Sequence, residues 1–265
     1  MLKTCVRAAS AAFCLAASGP SLAADMPVKA PVFAPPIVVS WTGVYVGVHG
    51  GFYRADKDWS FTSVNNGAGV MVPIVPATTT GHRVTGGLFG GQAGFNFQTG
   101  SWVWGVEAQW SGTGGDGSSD CPIPNGGGIC RTDVRWLGTA AGRVGYAWGS
   151  ALLFGKGGFA WARDRYDISF ATVPTGNESG TQDRTGWMAG AGLEYALSSN
   201  WSVKVEYDYL NFGTDSANLF RCATCTANGL PGGALDETID VRQRIHLVKF
   251  GINYRFGAGP VTARY

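Results

Sequence analysis

The sequence predicts an all-β fold in which eight antiparallel strands form an up-and-down transmembrane β-barrel. Segments of strict apolar–polar alternation recur along the chain, their connections are alternately short and long, and aromatic residues cluster at both ends of the apolar faces. A period of two residues is typical of a strand with one apolar and one polar face. A membrane barrel turns the apolar face toward lipid and the polar face inward, whereas a soluble sandwich does the reverse.

Residues 1–24 have the pattern of a secretory signal peptide. Lys3 and Arg7 form a basic start, a short apolar run follows, and small residues predict cleavage after Ala23 or Ala24. The segment is too short to be read as a membrane helix, so we expect the chain to be exported.

The remainder of the chain divides into a linker and one domain. Residues 25–40 contain four prolines, which predicts an extended periplasmic linker, and residues 41–265 form the barrel domain. Cleavage leaves 18 basic and 18 acidic residues, so charge gives no reason to expect a nucleic-acid partner. No run of 18 apolar residues follows the signal peptide, so no spanning helix is expected.

Four cysteines remain after cleavage, and export favours disulfides between them. Cys121 and Cys130 bracket a short segment, and Cys222 and Cys225 form a Cys-x-x-Cys pair. We expect two local bridges, Cys121–Cys130 and Cys222–Cys225. A zinc or redox site at the second pair is the alternative, but no histidine lies near it in sequence.

The predicted strands are joined alternately by short turns and long loops, which is typical of barrels with periplasmic turns and extracellular loops. The strands are Gly43–Tyr53, Val84–Gln98, Trp102–Ser111, Val134–Trp148, Ala151–Arg163, Arg184–Leu197, Trp201–Phe212 and Arg242–Phe256. The long connections, expected to be four extracellular loops, are Arg54–Arg83, Gly112–Asp133, Asp164–Asp183 and Gly213–Val241. The strand lengths suit a tilted membrane crossing of about 9–11 residues.

Aromatic residues mark both ends of the predicted lipid-facing surface. Tryptophan and tyrosine favour the two membrane interfaces, where an amphipathic ring is half wet. The predicted girdle residues are Trp102, Trp104, Trp110, Trp136, Tyr146, Trp148, Trp161, Trp187, Tyr195, Trp201, Tyr209, Tyr254 and Phe256.

The same alternation predicts a layer of inward charges. In the segment Trp201–Phe212, Val203 and Val205 face lipid, while the charged residues between them face inward. The predicted inward set is Glu107, Arg135, Arg143, Lys156, Glu194, Lys204, Glu206, Asp208, Lys249 and Arg255. An eight-stranded interior is just wide enough to be filled by side chains, and buried charges must pair. We interpret the layer as a plug of salt bridges; a hydrated selectivity lining is the alternative.

Turn symmetry predicts neighbours within this layer. Glu194 and Lys204 are equidistant from the turn at Ser199 and should lie opposite one another, where opposite charges attract. Arg143 should likewise lie across from Lys156. Two like charges so close need an acid between them, and Glu107 on the adjacent strand is the candidate.

Several segments resemble the small outer-membrane β-barrel family, whose members are often called porin-family or outer-membrane immunogenic proteins. They are WTGVYVGVHGGF (Trp41–Phe52), WLGTAAGRVGYAW (Trp136–Trp148), LLFGKGGFAW (Leu152–Trp161) and the ending VKFGINYRFGAGPVTARY. The resemblance implies an eight-stranded barrel in the outer membrane of a Gram-negative bacterium. It also implies contacts with outer-membrane lipid, lipopolysaccharide and the barrel assembly machinery, which reads a terminal aromatic, here Phe256 or Tyr265.

The leading functional hypothesis is a structural, surface-exposed envelope protein that needs no cofactor and is not an enzyme, with loops that could contact host or surface ligands. A small diffusion pore is the second hypothesis. The third is a haem binder that uses His82 in the first loop as iron ligand. The fourth is a membrane enzyme, which would need a base beside a nucleophile. None of His49, His82 or His246 has a serine within two residues, although partners across strands stay open.

Overall fold

The computed structural model describes residues 39–121, 128–170, 177–221, 231 and 233–257, and these form an antiparallel β-sheet without helices. The predicted signal peptide, most of the linker and Tyr265 lie outside the described residues. The strands are β1 Gly43–Asn65, β2 Met71–Thr99, β3 Trp102–Gly114, β4 Asp116–Cys121, β5 Gly128–Trp148, β6 Ala151–Phe170, β7 Glu178–Ala196, β8 Trp201–Arg221 and β9 Leu235–Arg255.

The strand pairings close into a ring. Strand β3 pairs with β2 on one side and with β5 on the other, and the remaining strands follow in the order β2–β1–β9–β8–β7–β6–β5. A row of paired residues that starts at Gly114 of β3 and passes through every neighbour returns to β3 at Trp104. This stagger goes with the strong strand tilt of small barrels, about 35–45°. The ring leaves no unpaired edge in lipid.

The nine strands occupy eight positions around the barrel, because β3 and β4 lie end to end and both pair with β5. Only Gly115 separates them, and a Cβ there would lie 2.5 Å from the carbonyl oxygen of Thr85. A glycine is therefore required where the strand breaks. The predicted antiparallel eight-stranded barrel is confirmed, with one strand interrupted.

The strands reach much farther on the extracellular side than predicted. The prediction ended the first strand at Tyr53, whereas β1 continues to Asn65, and β2 begins at Met71. Most of each expected long loop is therefore paired strand. The reason lies in β1, where the outward side chains change from Phe52 to Arg54 while the inward ones become apolar, as at Trp59. The same alternate residues continue to face outward, but beyond the membrane the outward residues are polar and the inward residues are apolar.

Two aromatic girdles bound the lipid-facing surface, and all thirteen predicted girdle residues are exposed or half-buried on the outer face. The lower girdle, at the short turns, comprises Trp102, Trp104, Tyr146, Trp148, Tyr195, Trp201, Tyr254 and Phe256. The upper girdle comprises Trp110, Trp136, Trp161, Trp187 and Tyr209, with Phe52 and Phe89 beside them. Cross-strand rings pack edge to face, as Trp201 does on Tyr254 with centroids 5.1 Å apart. The wall between the girdles is the membrane-spanning part.

The interior alternates between apolar and charged layers. An apolar cluster around the fully buried Trp41 fills the end near the short turns. The predicted charged layer follows, and above it a second apolar cluster includes Met188 and Leu210. A third apolar cluster around Trp59 fills the extracellular extension.

Candidate functional site

The charged layer inside the membrane-spanning part is the candidate functional site. Eight of the ten predicted residues form one connected set of ion pairs, and each is at most 7% exposed. The acids are Glu107, Glu194, Glu206 and Asp208, and the bases are Arg143, Lys156, Lys204 and Lys249. The set therefore contains four charges of each sign.

Glu107 is the centre of the set. Its carboxylate lies 2.9 Å from the ammonium of Lys204, 3.3 Å from that of Lys156 and 3.7 Å from the guanidinium of Arg143. The hydroxyl of Tyr45 donates a further hydrogen bond of 2.8 Å to it. Arg143 and Lys156 do lie opposite one another on β5 and β6, with Glu107 between them as predicted.

The other side of the layer joins two acids from β8 to two lysines. Glu206 lies 3.1 Å from Lys156 and 2.8 Å from Lys249. Asp208 lies 3.2 Å from Lys156 and 2.7 Å from Lys249. Gln109 donates to Glu206 at 2.8 Å. Each of these two carboxylates thus contacts at least two cations, and such pairing is the condition under which buried charge is tolerated.

Glu194 and Lys204 are opposite residues on β7 and β8, as turn symmetry predicted. Their ion pairs go elsewhere, however. Glu194 accepts from Arg143 at 2.9 Å, from Ser202 at 2.6 Å and from Asn253 at 2.9 Å. In a narrow tube a long side chain reaches across the interior as easily as to its strand neighbour, so backbone register does not fix the ion partner.

Two predicted inward residues are not part of the set. Arg135 is exposed, because a β-bulge between Val134 and Trp136 moves it to the outer face. The prediction of an inward Arg135 is therefore wrong. Arg255 is buried as predicted, but its guanidinium stacks over Trp41 at 4.5 Å near the short turns.

Inward glycines leave room for the long charged side chains. A Cβ at Gly190 would lie 2.0 Å from Asp208 Oδ1, and one at Gly94 would lie 2.4 Å from the hydroxyl of Tyr45. Small residues at these positions are therefore part of the site, because any larger one would displace a member of the network or its hydrogen-bond partner.

The sequence reasoning missed a second buried ion cluster in the extracellular extension. Lys57 lies 2.9 Å from Asp164, Arg184 lies 3.6 Å from the same carboxylate, and Tyr166 donates to it at 3.1 Å. All three charged side chains are fully buried. Burial lowers the pKa of Lys57 to about 8 although Asp164 opposes the shift. The continued alternation of β1 past Tyr53 was the signal that could have placed Lys57 inside.

A serine–histidine pair across strands was also missed. Ser111 Oγ lies 2.7 Å from His49 Nε2, and His49 Nδ1 lies 3.1 Å from Gln92 Oε1. The adjacent space, lined by Ser111 and Lys249, is a cavity of only about 10 Å³. The arrangement resembles a nucleophile and its base, but no substrate group could enter a space of that size.

His82 lies in strand β2 and not in a loop, so its predicted loop placement is wrong. It is half-buried, Nε2 lies 3.0 Å from Thr132 Oγ1, and its ring packs against Trp59. Burial, with a smaller effect of Lys57, lowers its pKa to about 4. His49 is buried inside and His246 faces outward beside Tyr207. Among the described residues, no group of three or more His, Cys, Asp or Glu side chains could hold a metal ion.

The predicted disulfides are only partly within the described residues. Cys130 is buried and disulfide-bonded. Cys121 ends β4, but its side chain is outside the described part, as are Cys222 and Cys225. Both predicted pairings stay predictions.

Comparisons with known proteins agree with this architecture. Residues 9–256 match the model of the outer membrane protein β-barrel domain family. The chain is 29% identical over 247 residues to a 31 kDa outer-membrane immunogenic protein of Brucella melitensis biotype 1, covering 89% of this chain and 93% of that protein. It is 31% identical over 135 residues to a 22 kDa outer membrane protein of Rhizobium leguminosarum bv. viciae, covering 49% of this chain and 56% of that protein.

A solved structure shows the same fold. The outer membrane protein OprG of Pseudomonas aeruginosa superimposes with a TM-score of 0.53 at 16% identity, covering 82% of this chain and 98% of that chain. The family match spans most of the chain, and a β-barrel domain is consistent with the closed strand order. The chain therefore belongs to the outer membrane protein β-barrel domain family and is an outer-membrane β-barrel protein.

Proposed function

We propose that this barrel is a closed structural protein of the outer membrane that presents its extracellular extension at the cell surface. The observation that carries the proposal is the balanced ion network, in which Glu107 and Glu206 each bind several cations across the full width of the interior. Such a network blocks the lumen with side chains, and moving either of these two carboxylates would break three ion pairs at once.

Apolar packing on both sides of the network supports the same proposal. Trp41 and its neighbours fill the interior toward the short turns, and the cluster that includes Met188 fills it on the other side. An ion would have to pass both layers without water to solvate it. Among the residues described, the interior cavity beside Ser111 is far smaller than a solute.

The extracellular extension supports a role at the surface. Strands β1 and β9 rise well beyond the upper girdle and carry exposed charges such as Arg54 and Arg244. The similar proteins from Brucella are named as immunogenic. We infer contact with surface ligands through this extension, and no catalytic role, because the pair formed by Ser111 and His49 is enclosed.

Swelling of proteoliposomes tests the proposal. The folded full chain is reconstituted at matched density beside a known porin, and the vesicles are diluted into isosmotic sugars of increasing size. We expect no swelling above that of empty liposomes. Swelling that falls with solute size would reject the closed barrel and support a diffusion pore instead.

A further inference from the structure

The basic residues of the barrel are sorted by type and position. The described lysines are all buried in the interior, at Lys57, Lys156, Lys204 and Lys249. The outward basic residues of the described part are all arginines, and all lie on the extracellular side of the upper girdle. They are Arg54, Arg83, Arg131, Arg135, Arg163, Arg165, Arg242 and Arg244. Arginine is the residue that binds phosphate in a two-pronged geometry.

Four of these arginines form one patch on β9, β1 and β2. Arg83, Asp56 and Arg244 are consecutive partners on one cross-strand row, Arg54 lies below them, and Asp58 lies opposite Arg242 on the row above. We call these six residues the arginine patch; its formal charge is +2. On the opposite face, Arg131, Arg163 and Arg165 each pair with their own aspartate.

The arginine patch is open to a ligand. The side chains of Arg54 and Arg83 are 50% and 56% exposed and share the single carboxylate of Asp56, each at 3.2 Å. Arg244 is 40% exposed and reaches Asp58 at 3.3 Å. Arg242 makes no ion pair with a described residue. Two carboxylates thus leave donors free on four guanidinium groups.

An apolar groove lies below this patch on the membrane-spanning wall. It has a volume of about 580 Å³ and is lined by Val48 and Gly50 of β1, Phe89 of β2, Phe250 of β9, and residues of β7 and β8. Gly50 forms the depression, since a Cβ there would meet nothing closer than 3.7 Å. It precedes Arg54 by four residues, or about 13 Å along the strand.

We propose that this face binds a phosphorylated, acylated glycolipid of the outer leaflet. A phosphate lies on Arg54, Arg83 and Arg244, and an acyl chain occupies the groove at Gly50. Only a lipid can reach both parts, because the groove lies between the girdles and the arginines begin two residues beyond Phe52. No outward basic residue of the described part lies at the lower girdle, so the charge pattern selects the extracellular leaflet.

Binding of lipid A to the detergent-folded full chain, followed by native mass spectrometry, tests the proposal. The probes are bisphosphorylated lipid A, the same lipid with both phosphates removed, and inorganic phosphate as competitor. The test variants are R54Q/R83Q/R244Q and G50L, and the matched control is R131Q/R163Q/R165Q, which removes the same charge from the opposite face. Resistance to heat unfolding on gels verifies that each variant is folded.

The affinity of wild type for the bisphosphorylated lipid should exceed that for the dephosphorylated lipid by at least about tenfold. A ratio of this size corresponds to one or two charge-assisted contacts. R54Q/R83Q/R244Q should abolish that preference, and G50L should weaken the binding of both lipids. The control variant should bind as wild type does. Equal loss in the control, equal affinity for the two lipids, or displacement by millimolar phosphate would overturn the proposal. If the glutamine variant fails to fold, R54K/R83K/R244K keeps the charge and should still lose most of the preference.

Discussion

Glu194 and Lys204 face one another across the β7–β8 hairpin, yet each forms its ion pairs with other residues. Lys204 crosses the interior to Glu107 and also contacts Glu206, both at 2.9 Å, while Glu194 binds Arg143. Removing Lys204 therefore takes one cation from Glu107 and one from Glu206, whereas Glu194 keeps its ion pair with Arg143.

Lys204→Met should destabilise the barrel by about 3–5 kcal/mol, because buried carboxylates lose a cation. Adding Glu194→Leu should destabilise it further, because Arg143 then loses its closest acid. Adding Glu107→Gln should instead recover part of the loss. Urea unfolding in lipid vesicles measures the free energy of unfolding of all three. Full rescue by Glu194→Leu would mean that the ion partners are the strand neighbours after all.

Val205→Arg should cost about 2–4 kcal/mol, because Val205 faces lipid between the girdles and lipid cannot solvate a guanidinium. The matched control is Thr185→Arg, at an exposed outward position next to the upper girdle, where the same change should cost about 0–1 kcal/mol. The same unfolding assay measures both. A harmless Val205→Arg would reverse the assignment of inner and outer faces.

Lys57→Met should loosen the extracellular extension and leave the membrane-spanning part intact. Lys57 and Asp164 are fully buried above the upper girdle, so the change leaves a buried carboxylate with one cation fewer, a local cost of about 3 kcal/mol. Hydrogen exchange should accelerate at residues 57–61 and stay slow at residues 44–50. Arg163→Gln breaks the exposed pair with Asp183 and should change neither region. Uniform acceleration would show that the two parts unfold together.

The far end of the extension should weaken as pH rises. Burial first, then the hydrogen bond with Asp236 and the nearby acids, raises the pKa of Glu178 to about 10. When folding raises the pKa of a carboxyl group, the protonated group contributes fully to stability at a pH below its unfolded pKa, near 4.3 for Glu. This contribution to the free energy of unfolding is lost as the pH rises from the unfolded pKa to the folded pKa. Protection factors near Glu178, which are hydrogen-exchange rates corrected for the intrinsic pH dependence of amide exchange, should therefore be higher at pH 5 than at pH 8. Glu178→Gln should reduce the difference and leave the part due to Glu237, whose pKa burial raises to about 7. Protection factors in wild type that do not change with pH would contradict this account.

The sequence could predict the membrane-spanning part because lipid imposes one rule on every outward residue. Alternation put Val205 and Lys204 on opposite faces, and the loop lengths and aromatic bands identified the apolar face as the outer one. Turn symmetry placed Arg143 opposite Lys156. Alternation failed at Arg135, because one extra residue in a bulge reverses the faces beyond it and leaves no local signal. The sequence analysis also ended the first strand too early. Above the membrane the outer face contacts water, so an outward Arg54 breaks the apolar pattern by which a lipid-facing strand is identified.

The ion partners were beyond sequence reasoning for a different reason. Register determines which residues are adjacent along the wall, but the pairs that Glu107 forms with Lys204 and Lys156 cross the interior. Which cation reaches which acid depends on the barrel width, on the space left by residues such as Gly190, and on neutral groups such as Tyr45. None of these is fixed by spacing along one strand.

Single-channel recording tests the central claim, that side chains close the lumen. The folded full chain is inserted into a planar bilayer in concentrated salt, with wild type, Lys204→Glu and a porin control compared at equal insertion. We expect steady insertion without stepwise current for wild type. Stable current steps in wild type, with an ion selectivity that changes in Lys204→Glu, would show that the charged layer lines a conducting path and would contradict the closed barrel.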